Sequence, residues 1–187
     1  MPTRRELAAA LAGVGGLVRF DARALALFDA SLRGFWNSFW AAAILAPFAA
    51  IMVARAMAIS PPASGWRFVA FQAIGYAVSW LAFPLVMVRV ADMLGKGDRY
   101  FAFMVPFNWF RVVELALWGP LLLLAMAGIM PPVAEGLLSI VALGALLGYE
   151  WFIAKNALKV SGGTAAMLVF INLLLGLVID RLSDALP

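Results

Sequence analysis

At 187 residues, 65% hydrophobic, 13% charged and with a mean hydropathy of +0.98, the chain is too apolar for a water-soluble fold, in which about half the residues are apolar and about a quarter charged. It has no cysteine and no histidine, which excludes disulfides, thiolate chemistry, the usual zinc and haem ligands and any triad built on imidazole. The net charge of +4 fits the Lys and Arg of cytoplasmic loops rather than nucleic-acid binding, and neither a cofactor nor a metal is expected.

Residues 1–34 form a region of their own. Leu7, Leu11, Val14 and Val18 recur at helical spacing, as do Leu25, Phe28, Leu32 and Trp36 after a break at Phe20-Asp21. Asp29 and Arg33, four apart, are placed to pair. The pattern predicts one or two amphipathic helices, either lying at the membrane surface or packed beneath a helical bundle. Arg4 and Arg5 followed by an Ala- and Gly-rich stretch do not make a signal peptide, because Arg19, Asp21 and Arg23 leave no cleavage context.

A spanning helix needs about 20 mostly apolar residues, and residues 35–187 hold five such stretches. The first covers 35–54 and the second 68–88, separated by Ser60-Pro61-Pro62-Ala63-Ser64-Gly65, which cannot continue a helix. After the polar turn Gly95-Lys96-Gly97-Asp98, the third lies within 101–130. Its first residues, 100–105, are expected as a lead-in, with the span starting near Pro106 or Phe107 and kinked at Pro120. Gly128 to Pro132 makes a tight hairpin into the fourth, 133–154. Ser161-Gly162-Gly163-Thr164 precedes the fifth, 164–179, with Ser161 or Thr164 as its cap. The fold class is therefore all-α, a polytopic transmembrane bundle of five spans with an amphipathic N-terminal region.

Basic residues alternate between the two sides. Arg4, Arg5, Arg19, Arg23, Arg33, Arg89, Lys96, Arg99, Lys155 and Lys159 fall on one side, and Arg55, Arg67 and Arg181 on the other. Cations favour the cytoplasm, so the N-terminus is expected inside and the C-terminus outside.

Ionisable groups within spans are costly and mark function by default. Asn108, Arg111 and Glu114 share one face of the third span, and Glu150 lies near the end of the fourth. With a span beginning at Phe107, Arg111 lies about 6 Å deep, Glu114 about 10 Å, and Glu150 about 6 Å from the same surface. These four residues are expected to cluster, Glu150 serving Arg111, with Lys155 and Asn156 at the mouth. The cluster is either a polar pocket for an ion, a proton or a lipid head group, or an ion pair that fixes helix register; its small size and nearness to one interface favour the second. Gly144 and Gly148 form a G-x-x-x-G, which serves homodimerisation or, preferentially, close packing within the bundle. Trp36, Trp66, Trp109 and Trp151 fall near span ends as an interfacial belt, whereas Trp40, Trp80 and Trp118 are internal. There is no P-loop and no G-x-S-x-G elbow, and the aspartates fall in tails, loops or span ends, so no enzyme is expected.

The five-span layout over about 20–184, with its amphipathic N-terminal region, short loops and external C-terminus, resembles the Yip (Ypt-interacting-protein-like) family of integral membrane proteins. Tyr149-Glu150-Trp151-Phe152 and Leu158-Lys159-Val160-Ser161-Gly162 are also similar to stretches in small inner-membrane proteins of Gram-negative bacteria, and the Ala-, Arg- and Gly-rich usage suits a bacterial gene. The resemblance implies a non-catalytic protein that organises membrane partners or the bilayer. The Asp-Leu-Tyr-Gly-Pro-like element of eukaryotic members is absent, so their trafficking and GTPase partners are not carried over. The alternatives are a small oligomeric transporter or channel built on the polar cluster, and a lipid-directed enzyme with Glu150 or Glu114 as base. The partners expected are the lipid bilayer and either a second membrane protein or further copies of the chain.

Overall fold

The computed structural model describes residues 1–185, which are helical throughout with short connections and contain no strand. The chain begins with α1, Arg4–Val18. Thr3 caps it: its Oγ1 accepts from the Glu6 backbone N–H at 3.2 Å, and the Glu6 carboxylate accepts from the Thr3 N–H at 2.5 Å. That backbone donor, with the Thr3 side chain and Arg33, holds the Glu6 carboxyl below the usual carboxylate range. After a turn at Phe20, Asp21 caps a short 3-10 segment, Ala22–Leu27. Ser31 then caps α2, Leu32–Ser38, through the Gly34 N–H at 3.0 Å.

The long helices follow: α3 Trp40–Ile59, α4 Gly65–Met93, α5 Tyr100–Met126, α6 Pro132–Leu158 and α7 Gly162–Ala185. Counting α2 with α3, five helical stretches are long and apolar enough to cross a membrane, and the chain is a multi-pass membrane protein. The breaks use the turn chemistry expected. Gly95 and Gly128 take positive φ (64° and 65°) just beyond α4 and α5, where a left-handed residue closes the last turn. The Pro131-Pro132 pair opens α6, its fixed φ and missing donor being harmless there. Ser161 Oγ accepts from the Thr164 N–H at 3.1 Å at the start of α7.

Three features differ from expectation. The first spanning stretch reaches back to Leu32, across the 34/35 boundary. Tyr100 to Val105 is not a separate lead-in element but the first part of one continuous α5, which carries Pro106 and Pro120 inside it. The buried face of α1 is Ala10, Gly13, Val14 and Leu17, while Leu11 and Val18 point outward. Small residues set that phase: a Cβ on Gly13 would lie 2.6 Å from the Phe28 ring.

The spans close into a ring in the order α3, α4, α7, α6 and α5, with α5 also touching α4. The N-terminal layer of α1, the 3-10 segment and α2 packs against α5 and α6 at one end, called here the basal end. The layer is therefore docked on the bundle rather than detached from it. Tyr149 donates to the Val18 carbonyl at 2.7 Å and stacks on Phe20 at 4.5 Å. Arg33 pairs with Glu6 at 3.2 Å, not with Asp29, and so ties α2 to α1.

The core is one-sided. Phe103, Met104, Val105, Phe107, Trp109 and Phe110 of α5 are buried with Trp80 to Ala91 positions of α4, Ile153 to Leu158 positions of α6, and Ala165 and Leu168 of α7. Trp109 is thus a core residue, 3% exposed, rather than part of an interfacial belt, whereas Trp36 and Trp66 are exposed. Toward the far end, which carries the 127–131 hairpin, Ala142 is the buried apolar side chain among the described residues.

Candidate functional site

The helix α5 carries Arg111 and Glu114 on one face, three residues apart, with Arg111 Nε 4.0 Å from Glu114 Oε1. The guanidinium lies over the Trp80 ring of α4, 4.3 Å from its centroid, and Nη1 donates to the Ser79 carbonyl at 3.4 Å. These are long contacts around a cation that an aromatic face also stabilises. Glu150 of α6 is buried and accepts from the Asn172 amide of α7 through both oxygens, at 3.0 and 3.1 Å.

Ser79, Arg111, Glu114, Glu150 and Asn172 line one cavity of about 220 Å³ between α4, α5, α6 and α7, and Asp180 of α7 joins them there. On its basal side Phe83, which lines it, packs with Phe103 and Phe107 at ring centroids 4.8–6.2 Å apart, and Met87, Ile153 and Leu168 of the neighbouring turns are fully buried. Toward the far end its walls are Trp118, Leu143, Leu177 and Ile179, where the helices are loosely packed.

The sequence-derived cluster is therefore partly assembled. Arg111, Glu114 and Glu150 meet at one cavity, but Glu150 is held by Asn172 rather than by Arg111. Asn108 is separated from them: it is fully buried and donates to Ser38 Oγ at 2.9 Å, which itself donates to the Phe35 carbonyl. That chain joins α5 to α2, because the neighbour Asn108 meets is α2, one turn nearer the helix start than Arg111. Lys155 and Asn156 do not line the cavity. The Lys155 ammonium lies over the Trp151 ring at 4.8 Å, and Asn156 donates back to the Phe152 carbonyl at 2.7 Å. Gly144 and Gly148 meet no neighbour where a Cβ would stand, so they do not pack closely within the bundle; they turn away from its core.

With α5 starting at Tyr100, Arg111 lies about 16 Å and Glu114 about 21 Å from the helix start along its axis, near the middle of the helix. Asn172 and Asp180 belong to the site although the sequence-derived cluster does not include them. Their spacing of eight puts them close to one helical face, which is the signal the sequence carries for them: the one polar amide of the fifth span on the side of its nearest carboxylate.

Among the residues lining the cavity are three carboxylates and one guanidinium. A carboxylate withdrawn from water costs several kcal/mol unless paired, so the arrangement suits a proton, an inorganic cation or a cationic solute. Among the described residues no set of three or more metal-ligating side chains comes together.

Compared with protein-family models, with curated proteins and with solved structures, the chain matches none.

Proposed function

We propose that the chain is a non-catalytic protein of a bacterial inner membrane that takes up a proton or small cation in the α4–α7 cavity from its far end. The observation that carries this reading is the excess of carboxylates over guanidinium in a cavity closed basally by aromatic side chains and loosely walled beyond. Intramembrane carboxylates that face a cavity are the usual elements of ion and proton paths. The arginine and lysine bias supports a cytoplasmic basal end and N-terminus, with the cavity reached from the periplasm. The basal seal makes this a closed binding state, so transport requires a second arrangement of the same helices.

The test is a thermal melt of the chain in lipid nanodiscs, in sodium, potassium or choline chloride at equal ionic strength, and across acid to neutral pH. A ligand that binds only the folded chain raises Tm with its concentration. Stabilisation by sodium, potassium or protons that Glu114→Gln and Glu150→Gln abolish is the expected result. Melting that ignores both cation and pH sinks the reading.

A second reading, that the chain organises partners or its own copies as the Yip resemblance implies, is supported by the outward face of α6. Ile140, Val141, Leu137 and Gly144 are exposed there, and Gly144 and Gly148 leave room for a close helix. Single-molecule photobleaching in membranes tests it, with Gly144→Leu expected to convert an oligomer to monomers.

A further inference from the structure

A second cavity lies at the basal end, remote from the one between α4 and α7. It measures about 330 Å³ and is enclosed by α1, the 3-10 segment, α2 and the buried indole of Trp109. Its walls are mostly apolar, with Ala9, Ala10, Leu27 and Phe28 beside Trp109. Four polar side chains break that lining: Arg5, Glu6, Asp29 and Asn37.

Glu6 is already committed, to Arg33 at 3.2 Å and to the Thr3 N–H at 2.5 Å. Arg5, Asp29 and Asn37 are not. No hydrogen bond or ion pair holds the side chain of any of the three to another described residue. An apolar cavity thus presents one uncommitted cation, one uncommitted anion and one uncommitted amide. Such a set is complementary to a zwitterion: an oxyanion on Arg5, and an ammonium shared by Asp29 and the Asn37 carbonyl oxygen. A simple anion would meet the Asp29 carboxylate, and a simple cation would meet Arg5, so each is disfavoured by one wall.

The surroundings say where such a molecule comes from. Leu27, which lines the cavity, is 48% exposed, and Leu11 of α1 and Leu32 and Trp36 of α2, the helices that wall it, are exposed as well. The layer stands where the first span begins. Apolar side chains beside arginines at a span end mark the boundary between head groups and acyl chains. We propose that this cavity binds the head group of an aminophospholipid, phosphate on Arg5 and ammonium on Asp29 and Asn37, with the glycerol end along Leu27 and Phe28. The lipid would tie the N-terminal layer to the leaflet it faces.

The absence of cysteine and the small size of the chain make native mass spectrometry of the detergent-released full chain a direct readout. The chain is equilibrated with equal amounts of phosphatidylethanolamine, phosphatidylglycerol and phosphatidylcholine. Phosphatidylethanolamine is expected to be retained over both others, since glycerol brings no cation and choline no hydrogen-bond donor. Arg5→Gln and Asp29→Asn, both at exposed positions, each remove one charge-assisted hydrogen bond and are expected to lower retention about tenfold. Ala9→Phe, which fills the cavity and leaves every charge in place, is expected to do the same. Equal retention of the three lipids, or undiminished retention in all three variants, overturns the proposal. Displacement of the lipid by soluble glycerophosphoethanolamine at comparable concentration overturns the membrane as its source.

Discussion

Glu150 shows how one side chain is fixed by a partner that the linear pattern did not offer. Its two oxygens are occupied by the Asn172 amide, so its removal leaves that donor without its acceptor between the helices. Glu150→Ala is expected to cost about 1–3 kcal/mol, read as a lower midpoint in a detergent melt, and Glu150→Gln clearly less, since glutamine retains an acceptor for Asn172. The partner assignment has its own consequence. Arg111→Gln leaves Glu150 anchored, whereas Asn172→Leu removes its amide and is expected to destabilise more. The reverse order would return Glu150 to Arg111. That Arg111, Glu114 and Glu150 belong to one site was legible because each is an ionisable group within an apolar run. That Asn108 leaves the site for Ser38 was not, since residues three apart on a helix share a face only within its width, and the neighbours on that face came from elsewhere in the chain.

At the scale of elements, the N-terminal layer is held by close approach and by caps. Gly34 sits against the backbone carbonyl of Asp29, where a Cβ has no room, and its N–H is the one Ser31 caps. Gly15, by contrast, faces open space. Gly34→Ala is expected to undock α2 from the 29–31 turn at a cost above the ordinary 1–3 kcal/mol of overpacking, because backbone cannot yield as a side chain can. Gly15→Ala is expected to stabilise α1 by up to about 1 kcal/mol from helix propensity. Limited proteolysis of the 19–31 connection separates the two, with faster cleavage in the first and slower in the second; equal cleavage rates would remove the steric role of Gly34. The helix boundaries were readable from prolines, glycines and caps. The phase of α1 was not, because its docking face is made of Ala10 and Gly13, which hydrophobic periodicity underweights.

For the whole molecule, the decisive feature is the asymmetry of packing between the two ends. A dense aromatic core fills the basal half, and the polar cavity opens beyond it. The native chain has no cysteine, so single cysteines map it without background. In right-side-out vesicles a membrane-impermeant thiol reagent is expected to label Met130→Cys at the 127–131 hairpin and not Lys96→Cys. It is also expected to reach Leu177→Cys on the cavity wall but not Leu168→Cys beneath it. Labelling of Lys96→Cys in place of Met130→Cys would invert the orientation, and an unreactive Leu177→Cys would close the cavity to the far side.

By itself the sequence determined the solvent, the number of spans and the turns that separate them. Each of these follows from local quantities: apolar length against bilayer thickness, the fixed φ of proline, and a side-chain oxygen beside a free N–H. It also determined which residues would be costly inside a membrane. Only the tertiary structure decided which of those residues meet. Helix rotation and order around the ring set that, and both are fixed by packing between segments far apart in the chain, where Asn172 reaches Glu150 and Trp80 reaches Arg111.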